Sequence, residues 1–224
     1  MSAQYPDAIW YPSSIEHPMR AATWGIVIHW TAGHKPGDLA ALNGPEVDVH
    51  FYVTKAGEVY QFVNVNSQAW HAFHTANHYC LGIEHESSGE PWTAAQFAAS
   101  VKLARWLCAK YDIPVRHTDP VSSAPGPAWA GLYGHADLAH IDGNDHSDTV
   151  PPGTGWPKYL AAIKGGALIT PPYYEWLEWT LGEGWAKGHP PFDKSIRPKT
   201  WKATVPPTYW VRRLAFLAKR KVSG

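Results

Sequence analysis

Residues 24–31, WGIVIHWT, place Ile26, Val27 and Ile28 between two tryptophans. A short run this rich in β-branched and aromatic side chains reads as a buried strand, and His29 stands at its end. On its C-terminal side a Gly- and Pro-bearing loop, AGHKPGD, leads to a short helical stretch near 38–42. Residues 49–63, VHFYVTKAGEVYQFV, alternate apolar and polar positions on either side of Lys55-Ala56-Gly57, which predicts a hairpin. LGIEHE, 81–86, reads as another short strand. The clearest helix is 94–111, where Phe97, Val101, Ala104, Cys108 and Tyr111 line one face. Thr93 with Gln96 forms a capping-box pattern at its start, and Pro114 lies just beyond its end. Residues 116–155 read as loop, and a short helix near 157–163 closes the body. Strands interleaved with helices, one hairpin among them, give an α/β or α+β layer fold.

The composition narrows the class. With 45% hydrophobic and 17% charged residues the chain can bury a core and is not of the disordered type. No apolar run approaches the roughly 20 residues of a membrane-spanning helix. The first residues, MSAQYPDAIWYPSS, lack a basic cap followed by an apolar stretch, so no secretory signal is expected. Cys80 and Cys108 match no zinc-knuckle spacing and are expected to be reduced and buried. Charge is uneven: residues 1–166 hold 9 Lys and Arg against 15 Asp and Glu (net −6), and residues 167–224 hold 10 against 4 (net +6). Together with Gly165-Gly166 as a boundary, this divides the chain into a body, 1–166, and a Trp-rich basic extension, 167–224. Within the extension, 171–182 and 207–221 read as short helices, the second basic and amphipathic.

Thirteen histidines raise the expectation of a metal site. His29 at a strand end, His135 in YGHADL and Asp148 in HSDTVPPG would supply two imidazoles and a carboxylate, a set that leaves zinc one open position. They lie far apart along the chain, so spacing alone does not identify the site, and each has an ordinary structural reading.

WGIVIHWTAG, VHFYVTKAGEVYQFV, QAWHA, LGIEHE and YGHADL followed by HSDTVPPG, in that order, resemble the zinc-dependent N-acetylmuramoyl-L-alanine amidases. That family is shared by phage endolysins, muropeptide-recycling amidases and peptidoglycan recognition proteins, and the resemblance covers roughly residues 20–165. It implies a mixed central β-sheet flanked by helices. It implies Zn2+ as cofactor, with His29, His135 and Asp148 as ligands. Asp137, His140, Asp145 and His146 are the neighbouring alternatives for the third position, because the segment from His135 to Asp148 is longer than in compact relatives and Asp148 is followed by Thr-Val-Pro-Pro-Gly. Glu84 matches the glutamate that serves as general base in one branch, and Val49 stands where another branch carries a tyrosine. His146 occupies a position often held by lysine, where a cation or an N–H donor would stabilise an oxyanion. Trp70 and His71 match a motif lining the substrate cleft. His50 is a further substrate-side candidate, with a core histidine as its plainer reading.

The reaction implied is hydrolysis of the amide between N-acetylmuramic acid and L-alanine, with bacterial peptidoglycan as partner. Trp176, Trp179, Trp185, Trp201 and Trp210, with the basic cluster from Arg212 to Lys221, suggest that the extension holds anionic wall polymers; a membrane-active helix and a plain packed helical extension are the other readings. With no signal peptide expected, an endolysin acting from the host cytoplasm after holin-type release is the preferred role. A recycling amidase and a non-catalytic recognition module are the alternatives. No motif for specific nucleic-acid binding is present.

Overall fold

A computed structural model describes residues 4–118, 126–143, 145–150 and 154–165. The extension 167–224, with its two expected helices and its wall-binding role, lies outside the described residues. The elements in chain order are β1 (Ala8–Trp10), β2 (Gly25–Ile28), α1 (Lys35–Ala41), β3 (Phe51–Val53), β4 (Val59–Gln61), α2 (Phe73–Tyr79), β5 (Cys80–His85), α3 (Ala94–Tyr111), β6 (Gly131–Gly134), α4 (Ala139–Asp142) and α5 (Trp156–Lys164). Two 3-10 turns, Pro127–Trp129 and His135–Leu138, flank β6. No described helix is long and apolar enough to cross a membrane.

The strands form one sheet in the order β1-β4-β3-β5-β2-β6, parallel except for the antiparallel pair β3–β4. This is the mixed α/β sheet expected, and the antiparallel pair is the hairpin. Its turn closes through Gly57 N–H to Thr54 carbonyl (2.9 Å), with Gly57 at φ +84°. β2 is buried along its whole length, as befits a parallel strand covered on both faces. On the Val27 side Ala72, Ala76, Cys80, Trp129, Tyr133 and Leu138 close over it as one apolar cluster.

Four elements were not legible beforehand. β1 is three residues long, β6 reads GLYG with glycine at both ends, α2 carries no side-chain cap, and α4 is four residues long. His29 therefore follows the second strand of the chain, and the 116–155 segment holds a strand and a short helix. The buried stripe of α3 is also shifted from the one expected. It runs through Gln96, Ser100, Val101, Leu103, Ala104, Leu107 and Cys108, while Phe97 and Tyr111 are half-buried at its margins. Phe97 packs edge-on to Tyr159 of α5, ring centroids 6.1 Å apart. At the start of α3, Thr93 Oγ1 accepts the Gln96 N–H (3.0 Å), which is half of a capping box. The Gln96 carboxamide does not reach back; it donates to the carbonyls of Val53 (3.1 Å) and Glu86 (2.9 Å) and ties the helix to the sheet instead. Cys80 and Cys108 are both buried thiols and form no disulfide.

Candidate active site

The register of the sheet assembles the site. Ile28 of β2 pairs with Ile83 of β5 on one side and with Gly134 of β6 on the other. The next residues are His29, Glu84 and His135, so three polar side chains stand abreast at the carboxyl ends of neighbouring parallel strands. Open α/β sheets place their ligand sites at these ends.

Asp148 comes in from the segment after α4. Its carbonyl accepts the Ala136 N–H at 3.0 Å. Gly134 lets this segment close in, because a Cβ there would collide with the Thr149 side chain. The carboxylate then lies between the two imidazoles, with Oδ2 2.8 Å from His29 Nδ1 and Oδ1 3.3 Å from His135 Nδ1. All three residues are buried, and their ligand atoms lie within 4.8 Å of one another; no other such group occurs among the described residues.

The alternatives are placed elsewhere. Asp137 turns back to accept the Gly134 N–H (2.7 Å) and to pair with His117 (2.9 Å), so it stiffens the turn that carries His135. Asp145 is exposed, and so is His140 on α4. His146 stacks flat on His135, ring centroids 4.0 Å apart at 16°, with Nδ1 3.5 Å from Asp148 Oδ1.

The three residues fit a divalent metal. His71 donates from Nε2 to the Cys80 carbonyl (3.4 Å), which leaves its Nδ1 to accept the His29 Nε2–H (3.0 Å). The His29 Nδ1 lone pair then faces the Asp148 carboxylate, and two electron-rich atoms stay this close only with a proton or a cation between them. Protonation of His29 is opposed by burial, which lowers its pKa against the pull of Asp148. Burial acts to raise the Asp148 pKa, but the adjoining His135 and His29 rings outweigh it and hold the carboxyl well below its ordinary range. A neutral imidazole and an ionised carboxylate are the states a metal requires. His135 Nε2 is also buried without a hydrogen-bond partner. Two buried imidazole nitrogens and one buried carboxylate oxygen suit zinc with an open position.

Glu84 stands at the edge of this group, its Oε1 4.0 Å from His29 Nδ1 and its Oε2 buried without a partner. Burial, then the Asp148 and Asp38 carboxylates, raise its pKa well above the ordinary value. A carboxylate with one oxygen uncommitted and a raised proton affinity is suited to take a proton.

A cavity of about 300 Å³ opens over the site and is lined in part by Trp70, His71, Phe73, Asn77, His135 and His146. His71 thus faces the cavity and also supports His29. Gly82 makes room for its ring, because a Cβ at that position would run into the imidazole. Trp70 is exposed at the rim. His50 is fully buried, accepting the Gly82 N–H at Nδ1 (3.0 Å) and lying 3.0 Å from the Ser67 carbonyl through Nε2. Burial and the Arg20 guanidinium keep it neutral.

Two supports were missed by sequence reasoning. His85 points to the opposite face of β5 and its Nδ1 donates to the His29 carbonyl (2.9 Å). Its Nε2 accepts from Ser100 (2.7 Å), which meets Tyr159 OH (2.7 Å), so a buried chain of polar groups runs from α5 to the end of β2. Asn77 accepts the N–H groups of His71 (2.9 Å) and Ala72 (2.8 Å) through one buried carboxamide oxygen. The alternation of LGIEHE puts Glu84 and His85 on opposite faces and was the available signal for His85; nothing local marks Asn77.

Comparison with known proteins finds that residues 19–154 match the model of the family described as N-acetylmuramoyl-L-alanine amidase. The chain is similar to the 1,6-anhydro-N-acetylmuramyl-L-alanine amidase AmpD of Haemophilus influenzae, 27% identical over 129 residues, which is 53% of this chain and 59% of that protein. It therefore spans about three-fifths of the length of that curated relative. Among solved structures, the Staphylococcus aureus hydrolase AmiA in complex with its ligand superposes with TM-score 0.58 at 16% identity, over 73% of this chain and 84% of that one. N-acetylmuramoyl-L-alanine amidase LysC from Clostridium intestinale gives 0.52 at 19%, over 71% and 98%. At these identities the structural likeness bears on the fold.

Proposed function

The chain belongs to the N-acetylmuramoyl-L-alanine amidase family, and from this premise we propose that it hydrolyses the amide between N-acetylmuramic acid and L-alanine in peptidoglycan, using zinc held by His29, His135 and Asp148. The observation that carries the proposal is the convergence of these three buried side chains beside the uncommitted carboxylate of Glu84. Zinc in such a set supplies Lewis acidity and lowers the pKa of water toward neutrality. Glu84 takes the proton of the attacking water on its unpartnered oxygen and returns it to the departing nitrogen of L-alanine. His146 donates an N–H to the carbonyl oxygen as it gains charge, a role supported by its exposure at the cavity and its stacking on His135. His71 holds the His29 tautomer, and burial keeps the reacting groups out of bulk water.

The role we assign is that of an endolysin. The +6 charge and five tryptophans of residues 167–224 support it, because a polymer-bound enzyme benefits from a region that holds anionic wall. On this reading the enzyme reaches the wall from the host cytoplasm after holin-type release. The similarity to a 1,6-anhydro-muramyl amidase favours a second reading, in which small soluble fragments are the substrate. Mass spectrometry of products from intact sacculi and from soluble 1,6-anhydro-muramyl peptides, with zinc and after chelation, tests all of this. Chelator-sensitive release of stem peptides with a free L-alanine amino group is expected from both, faster from sacculi. Faster cleavage of the soluble fragments supports the second reading, and no release by folded, zinc-loaded protein removes the amidase reading.

A further inference from the structure

Phe73 adopts φ +59°, a left-handed conformation that bulky residues rarely take. The residues before it are pinned, since the buried Asn77 oxygen accepts the N–H groups of both His71 (2.9 Å) and Ala72 (2.8 Å). The chain bends before Phe73 and enters α2 there. Ala72 and Ala76 on either side join the apolar cluster, yet the Phe73 ring stays 44% exposed. Strain and an unburied aromatic ring thus coincide at one residue. Strained residues persist where the surroundings over-determine them and concentrate at ligand sites. Here the ring lines the proposed catalytic cavity together with Trp70, 42% exposed, and Val47, 49% exposed. Glu46 and His74 add polar groups to the same lining.

We propose that Phe73 is a specificity-determining residue, presented by its left-handed backbone to pack, with Trp70, against the pyranose ring of the muramoyl sugar next to the scissile amide. Exposed aromatic faces suit the C–H face of a sugar ring, while Glu46 and His74 offer partners to its hydroxyl and acetamido groups. The proposal rests on the amidase reading and extends it to the sugar side of the bond.

The test compares wild type with Phe73→Ala, Phe73→Gly and Phe73→Tyr on a soluble muramoyl peptide. A lactoyl peptide, the same chain without the sugar ring, serves as competing ligand. Loss of the ring in Phe73→Ala and Phe73→Gly is expected to raise KM about three- to tenfold with kcat within twofold. The inhibition constant of the ringless competitor stays unchanged, and Phe73→Tyr retains the wild-type KM. Phe73→Gly is expected to melt about 2–4 °C above Phe73→Ala, because glycine relieves the left-handed strain; it keeps the test available if the alanine variant folds poorly. An unchanged KM in both ring-less variants overturns the proposal. So does an equal weakening of substrate and competitor, which would mark a general distortion of the cavity. Inactivity of folded, zinc-loaded wild type removes the amidase reading itself, a result distinguishable from either of these.

Discussion

His135 on the floor of the cavity and Phe73 on its lip each begin a helical turn, but opposite forces hold them. His135 is 4% exposed and Phe73 44% exposed. The floor is set by strand register, with His29, Glu84 and His135 abreast on three adjacent parallel strands and Asp148 docked by a backbone hydrogen bond. The lip is set by a single carboxamide, Asn77, and carries a strained backbone. The chemistry therefore stands on elements that cannot shift without breaking the sheet, whereas recognition stands on a turn that one substitution can reshape.

This contrast can be broken at the floor first. Glu84→Gln keeps the shape of the side chain but cannot accept the proton. A fall in kcat of about 10²–10⁴-fold is expected, with zinc content by elemental analysis unchanged. Near wild-type turnover would move the base elsewhere. Next in size is His71→Ala, which releases the His29 tautomer and opens the cavity at once. Zinc affinity, measured by competition with a chromophoric chelator, is expected to fall about 10–100-fold. An unchanged affinity would make His71 a lining residue only. The smallest effect lies behind the floor. Burial lowers the His85 pKa from 6.5 to about 3, so below pH 6.5 the unfolded chain takes up a proton that the folded one refuses. Its contribution is present above pH 6.5 and is lost as pH falls toward about 3, by about 1.4 kcal/mol per unit within that window. His85→Gln, which cannot titrate, should show a shallower fall of melting temperature between pH 6.5 and 5. An identical slope would remove His85 from the acid sensitivity of the fold.

Much of the floor was legible in the chain because its residues sit in patterned segments. The apolar run before His29, the alternation through Glu84 and the hairpin between them are local, and local hydrophobic periodicity reports strands directly. β6 was not legible. GLYG has little strand preference of its own and is held in place by its pairing with β2. The buried face of α3 was misplaced for a related reason. Its polar residues Gln96 and Ser100 are buried because they serve the sheet and His85, which a pattern of apolar positions does not register.

The amino-acid sequence by itself determined the α/β class, the hairpin, the long helix and the residue types able to hold a metal, since each depends on neighbours within a few positions. The motif resemblance favours Asp148 over Asp137, and only the tertiary structure shows the packing that separates them. Both lie near His135 in the chain, but Asp137 is consumed by Gly134 N–H and His117, while Thr149 packing on Gly134 brings Asp148 to the imidazoles. The tertiary structure likewise gave His71 its hold on His29 across β5, and Phe73 its exposed, left-handed place at the cavity. These are long-range juxtapositions, set by strand register and close packing, and no local pattern encodes them.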